Sequence, residues 1–279
     1  MTTNERGLVI VTGASSGIGE AIALHLHDGG FSVLAGVRRD EDAERLRSRG
    51  LTPIRLDVTV SEQLAAARAE VGDRPLAGLV NNAGILSGGP LEFVPIDDLR
   101  EQLEVNVVGQ VAVTQAFIGG LRAGRGRIVN VGSISGRLAT PMIGPYVAAK
   151  FALEGLTDTL RRELALQGID VIMIEPGGVK TPLIGRASQW VEQLYGDSPP
   201  ELAQRYGAML TVMLEHTNKI DRQTGIDASA VAEVVGKALT VRRPRTRYLV
   251  GRDAIIQATM AKLLPDRVLD RLLLSLIKS

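Results

Sequence analysis

Apolar residues gather along this chain in short runs, at 8–12, 31–37, 52–57, 76–81, 126–132 and 169–175. Between the runs lie stretches in which apolar positions recur every three or four residues. Short runs rich in Val, Ile and Leu read as strands, and the spacing between them reads as helix. Such alternation predicts parallel strands joined by crossover helices. The early runs are nearly all apolar rather than apolar at every second residue, as in a sheet covered by helices on both faces. After a helical pattern at 228–239, a further run at 247–250 supplies a last strand. The expected fold class is α/β: one doubly wound domain over residues 1–279, with a mainly parallel sheet of about seven strands.

Two regions depart from this rhythm. Residues 183–225 carry Trp190, Pro199, Pro200 and two short apolar helical patterns. They follow a strand's carboxyl end, where open α/β sheets bind ligands, so they are expected to form a helical lid; an ordinary packing pair is the plainer reading. Residues 253–279 read as a C-terminal helical extension. Within it, 263–277 is amphipathic and suited to docking on the body, on a second subunit or on a membrane surface. The stretch 105–121 reads as a buried helix, interrupted by Asn106, Gln110, Thr114 and Gln115. The basic run Arg242, Arg243, Arg245 and Arg247 reads as a solvated loop.

Composition narrows the chemistry. With 32 basic and 31 acidic residues the net charge is +1, and aromatics are 3% of the chain. That balance supplies neither a field for polyanions nor stacking platforms for bases, so nucleic acid is not expected as a partner. Cysteine is absent, which removes disulfides and thiolate chemistry. His25 and His27, two apart on a helical pattern, do not share a face, so no metal site is expected. The N-terminal MTTNER shows no basic segment followed by an apolar one, and no run reaches membrane-spanning length. A cytoplasmic location is expected.

The turn after the first strand is TGASSGIG, with Gly13, Gly17 and Gly19 where the chain must reverse and start a helix. Glycine there lets phosphate approach the backbone, and the exposed amides at the helix start attract a pyrophosphate. Ser15, Ser16 and Ile18 complete the turn. This G-x-x-x-G-x-G spacing resembles the cofactor turn of the short-chain dehydrogenases/reductases. Further matches follow in that family's order: NNAG at 81–84, Asn106, Ser133, Tyr146-x-x-x-Lys150, and PGGVKTP at 176–182. Ser133 lies 13 positions before the tyrosine and 27 after Asn106. RYLVGRDA at 247–254 is similar to the ends of hydroxysteroid and retinol dehydrogenases.

The resemblance implies a Rossmann-type oxidoreductase with Asn106, Ser133, Tyr146 and Lys150 as its catalytic set. Tyr146 and Lys150 project from one helix face. Using a phenol as acid–base near neutrality requires a drop of roughly three pH units, about 4 kcal/mol. One ammonium about 4 Å away at an effective dielectric near 20 supplies about that much. Ser133, just beyond a strand's carboxyl end, can donate to a substrate oxygen. By resemblance, Asn106 holds a water in a proton relay; a buried polar group correcting a helix irregularity is the other reading. Also by resemblance, Lys150 bonds the nicotinamide ribose, and Asp57 with the Val58 backbone receives adenine. Asn82, Ala83 and Gly84 line the adenosine ribose, and Val179 and Thr181, after Pro176 and Gly177, hold the carboxamide. Asp57 equally suits a strand-end cap.

Cofactor choice rests on the end of the second strand, where Gly36 stands in place of the carboxylate common in NAD(H) enzymes and is followed by Val37, Arg38 and Arg39. A guanidinium binds phosphate through two donors. NADP(H) is therefore the expected cofactor, with Arg38 the main contact and Arg39 or Ser15 helping. NAD(H), with Asp40 reaching back to the ribose, is the second reading. Met142, Trp190 and neighbouring apolar residues suggest a small lipophilic alcohol or ketone, steroid- or retinoid-like, contacted also by Ser133 and Tyr146. A nucleotide-sensing regulator on the same fold is the other class of function. The family implies a homodimer or homotetramer.

Overall fold

The computed structural model describes residues 6–185 and 200–278. Seven parallel strands form one sheet: β1 (Leu8–Val11), β2 (Ser32–Val37), β3 (Thr52–Arg55), β4 (Leu76–Asn81), β5 (Arg127–Val131), β6 (Asp170–Pro176) and β7 (Arg247–Val250). Their order is β3-β2-β1-β4-β5-β6-β7, and each expected strand is present to within two residues at either end. The helices are α1 (Gly17–Asp28), α2 (Asp40–Arg47), α3 (Ser61–Val71), α4 (Ile96–Leu103), α5 (Gly109–Gly124), α6 (Gly144–Ala165), α7 (Pro200–Lys219), α8 (Ala228–Thr240), α9 (Arg252–Leu263) and α10 (Asp266–Lys278).

Successive strand residues point to opposite faces, and here both faces are buried. Val9 and Val11 pack with Ile22, Leu26, Val231 and Val235 of α1 and α8. Leu8 and Ile10 pack with Val113, Phe117 and Leu121 of α5 on the other side. That is why the strands carry no polar alternation.

Between α4 and α5 the chain makes a π-helical turn, Glu104–Val108, with Asn106 at its centre. The stretch 105–121, read as one buried helix, thus starts in the widened turn and runs on as α5. The C-terminal extension also divides, at Pro265, which cannot continue a helix. Ala254 and Ala258 of α9 pack on Ile134 and Leu249, and α10 packs on α7. Helix α7 buries Leu202 and Leu210 against Met142 and Phe93, and its Arg205 pairs with Glu92 at 3.0 Å. Among the described residues, no helix is long and apolar enough to cross a membrane. One residue of the basic run is misread as solvated: Arg247 is half-buried on β7 and pairs with Glu154 at 2.9 Å and Asp158 at 2.7 Å.

A chain of buried amides ties the central strands to α6. Asn81 donates to Thr114 at 3.0 Å and to Asn130 at 2.9 Å, and Asn130 donates to Thr157 at 2.8 Å. Replacing Asn130 leaves buried partners unpaired and a small void. Asn130→Ala is expected to lower stability by about 2–3 kcal/mol, read as a lower urea midpoint with an unchanged slope.

Candidate active site

The glycine turn is locked to β4 by Thr12, whose side chain is fully buried. Its hydroxyl oxygen accepts the backbone N–H groups of Asn82 and Ala83, each at 2.9 Å. The Asn82 amide donates in return to the carbonyls of Thr12 (3.0 Å) and Gly13 (3.2 Å). Gly13 and Gly17 have φ of +62° and +57°, where side chains are strained. A Cβ at Gly19 would collide with the Gly13 carbonyl and the Asn82 side chain. The N-cap residue Ser16 makes no side-chain capping bond to α1, leaving the first amides for another acceptor.

From this turn a cleft of about 520 Å³ runs over the carboxyl ends of the strands to α6. It is bordered by Gly13, residues 15–19, Arg38, Arg39, Asp57, Val58, residues 82–84, Asn106, Tyr146, Lys150 and Thr181. Gly36 and Leu183 line it too, as do Leu56, Ile85, Val131 and Gly132, to which the sequence reading gave no site role. Apolar walls, a glycine cradle and free helix amides together fit a dinucleotide.

Other expected residues lie elsewhere. Pro176, Gly177 and Val179 stand behind the lining: Val179 is buried in the core, and the neighbouring Lys180 amide bonds the Ile226 carbonyl at 3.0 Å. Met142 is 6% exposed and packs under α7 rather than on the cleft. Trp190 falls outside the described residues. A residue missed by the sequence reading is Asp253, whose carboxylate accepts the Gly178 amide at 2.7 Å and so fixes the PGGV loop. Its signal was the GRDA of RYLVGRDA, a match with no role attached.

At the β2 end, Arg38 lines the cleft with its guanidinium 3.9 Å from Asp57 and its side chain 63% exposed. Asp57 also caps its own strand end, accepting from the Thr59 amide and hydroxyl at 3.0 and 2.8 Å. Arg39 turns to Asp42 at 2.9 Å, and this carboxylate raises its pKa. Asp40 does not reach back: it is exposed, paired with Arg55 at 2.9 Å and absent from the described lining. Besides Asp57, the carboxylate that borders the cleft here is Asp42, held between Arg39 and Arg45.

At the other end, Tyr146 and Lys150 share a face of α6, as their spacing predicts. The Lys150 ammonium donates to the Val131 carbonyl at 2.9 Å and lies 5.5 Å from the centre of the Tyr146 ring. The Ser133 oxygen accepts the Ser135 amide at 3.1 Å, and its hydroxyl bonds the Tyr146 oxygen. Asn106 bonds Ile85 through both ends of its amide, accepting at 2.9 Å and donating at 3.0 Å. It holds the widened turn, as its plainer reading held. The electrostatics differ from the sequence expectation. Burial pushes the Tyr146 phenol above its ordinary value, against a hydrogen bond from Ser133, and burial brings Lys150 down to about 8. Desolvation outweighs the charge pair because neither group is hydrated as a free ion is.

The short chain dehydrogenase family model matches residues 7–192. The NADPH-dependent 3-dehydrocapnine reductase of Ornithobacterium rhinotracheale is 34% identical over 275 residues, spanning 94% of each chain. Retinol dehydrogenase 16 of Mus musculus is 37% identical over 276 residues, 95% of this chain and 87% of its own. The crystal structure of a short chain dehydrogenase/reductase from Burkholderia phymatum in complex with NAD superposes with a TM-score of 0.77 at 26% identity, covering 97% of both. Five ordered motifs on one cleft, together with these matches, make the chain a member of the short-chain dehydrogenase family, an oxidoreductase acting on CH–OH groups with a nicotinamide dinucleotide.

Proposed function

We propose that the chain interconverts a lipophilic alcohol and its ketone or aldehyde with NADP(H). The observation that carries this reading is Tyr146 and Lys150 at one end of a cleft whose other end is the glycine turn, with Ser133 just behind the lining and hydrogen-bonded to Tyr146. When bound, the nicotinamide supplies or accepts the hydride. The chain's part is to orient the substrate oxygen and manage one proton. Ser133 and Tyr146 offer two hydrogen bonds to that oxygen, and Tyr146, kept protonated by burial, is set to donate on ketone reduction. Alcohol oxidation needs the phenolate, so positive charge beyond that of Lys150 must draw the proton off. Asn106 holds the floor of the site, where the family resemblance suggests a relay water.

The apolar packing of α7 on Met142 and Phe93 supports the part of the expected 183–225 lid that lies in the described residues, 186–199 falling outside them, and a lipophilic substrate, as does the likeness to a protein named retinol dehydrogenase. Exposed Val108 and Phe151, at the π-helical turn and on α6, support self-association through these helices. Arg38, weakly paired and facing the cleft, supports a 2′-phosphate, as does the relative named NADPH-dependent. Asp42 at the cleft favours a second reading, NAD(H), in which that carboxylate takes the ribose hydroxyls.

Tyr146→Phe is expected to cut turnover of apolar ketones at least about a hundredfold while leaving melting temperature and NADPH binding near wild type. Loss of NADPH absorbance and dye-monitored melting check this, and equal turnover by both proteins would remove Tyr146 from the chemistry. Arg38→Ala is expected to raise KM for NADPH about tenfold, the worth of one charge-assisted bond at an exposed guanidinium, and to leave KM for NADH nearly unchanged. A rise shared by both cofactors would favour Asp42 and NAD(H).

A further inference from the structure

Behind the Ser133–Tyr146–Lys150 group lies a buried cluster of charges that the reaction as described does not use. Glu175, on β6 immediately before Pro176, is fully buried. Both its oxygens are held by the forked guanidinium of Arg137, with Nη2 to Oε2 at 2.8 Å. Arg137 directly follows the short helical turn Ile134–Gly136 that begins at Ser133. Glu154, one helical turn after Lys150, accepts Nε and Nη2 of Arg247 at 3.1 and 2.9 Å through one oxygen. Its other oxygen is buried without a cation, and its carboxyl interacts with that of Glu175. Arg247 continues to Asp158 at 2.7 Å, which Arg161 meets at 3.1 Å and Arg162 at 3.3 Å. Gly136 makes the close approach feasible, since a Cβ there would sit 3.0 Å from the Lys150 carbonyl and the Glu154 side chain.

The consequence is mechanical and electrostatic. Three segments that carry the site, the Ser133 turn, the Tyr146–Lys150 helix and the PGGV loop, meet at one carboxyl pair flanked by two guanidinium groups. We propose that Glu154 is a positioning residue for the reaction: with Glu175, Arg137 and Arg247 it fixes these segments against one another and keeps the Lys150 ammonium charged. The proposal rests on the oxidoreductase reading above. Glu154 faces Glu175 from β6, Arg247 from β7, and Lys150 and Asp158 on its own helix, with Arg137 beyond Glu175. Burial first, then the charge of Glu175, pushes the Glu154 carboxyl up to about 7, against the pull of Arg247. The charge of Glu154 also pushes Lys150 up, against the burial that brings it to about 8. Glu154 therefore gains its charge as pH rises through about 7, shortly before Lys150 would lose its own near 8.

The test needs no bound cofactor at its first stage. In protein carrying 13Cε-lysine, with Lys150 assigned by its absence in Lys150→Arg, Glu154→Gln is expected to move the Lys150 midpoint down by about one pH unit, tenfold in the ionised ratio. In NADPH-linked ketone reduction, the alkaline limb of kcat/KM should move the same way. The loss should reach about tenfold at pH 8.5 and be far smaller at pH 6.5, where Glu154 is protonated in the wild type. Glu154→Asp should restore most of it. An unmoved Lys150 midpoint, or a loss equal at all pH values, overturns the proposal. Should Glu154→Gln not fold, Arg137→Lys keeps the charge and loses the fork: a drop in kcat with unchanged NADPH affinity supports the device, and unchanged kcat overturns it. A wild type inactive on every ketone, with the Lys150 shift intact, counts against the oxidoreductase reading; an active wild type with no shift counts against Glu154.

Discussion

The site exists because the sheet changes winding direction between β1 and β4. From β1 the chain steps outward to β2 and β3, then returns to the other side of β1 as β4 and continues to β7. Crossovers leave these neighbours in opposite directions, so a crevice opens above their carboxyl ends that no loop fills. Polar backbone at such an edge must still be satisfied. Thr12 and Asn82 do this by bonding across the gap between the glycine turn and the NNAG segment. That reciprocal lock sets the width of the crevice.

Within the crevice, burial and charge act against each other, and burial wins at both titratable groups of α6. An ammonium placed beside a phenol in water would make the phenolate easier to form and hold its own proton more tightly. Enclosed, each instead leans to its neutral form, with Tyr146 raised and Lys150 lowered. A proton donor for reduction is thus available without further help, whereas the reverse reaction depends on charge brought in from outside the pair. The carboxyl behind Lys150 matters for the same reason. In a desolvated setting one nearby negative charge weighs more than several at the surface.

Much of this was legible from residue order because it depends on local pattern. Short apolar runs give covered parallel strands, glycines give a tight turn, and a four-residue spacing puts Tyr146 and Lys150 on one face. What escaped depends on distance along the chain. Nothing near Arg247 shows that it leaves its basic loop to meet Glu154, 93 positions away. Nothing near Asp42, on an exposed-looking acidic helix start, shows that it rather than Asp40 borders the cleft. Asn106 looked like an interruption in a helix and is the residue that ties the widened turn to Ile85. Met142 looked like a pocket wall because it is apolar and close to Tyr146, yet its φ of +73° turns it under α7.

The last third of the chain carries the weakest motif and holds the strongest in place. Asp253 fastens the PGGV loop from the start of α9, and a Cβ at Gly177 would collide with that carboxylate, so the glycine and the aspartate require each other. Arg247, six residues earlier, fastens α6 through Glu154 and Asp158. Both anchors come from the edge strand and the helix after it, which contribute little to the cleft itself. A parallel sheet permits this, because its last strand ends beside the loops of the strands before it. The chain can thus keep its cofactor turn at one end and set the geometry of its reacting groups from the other.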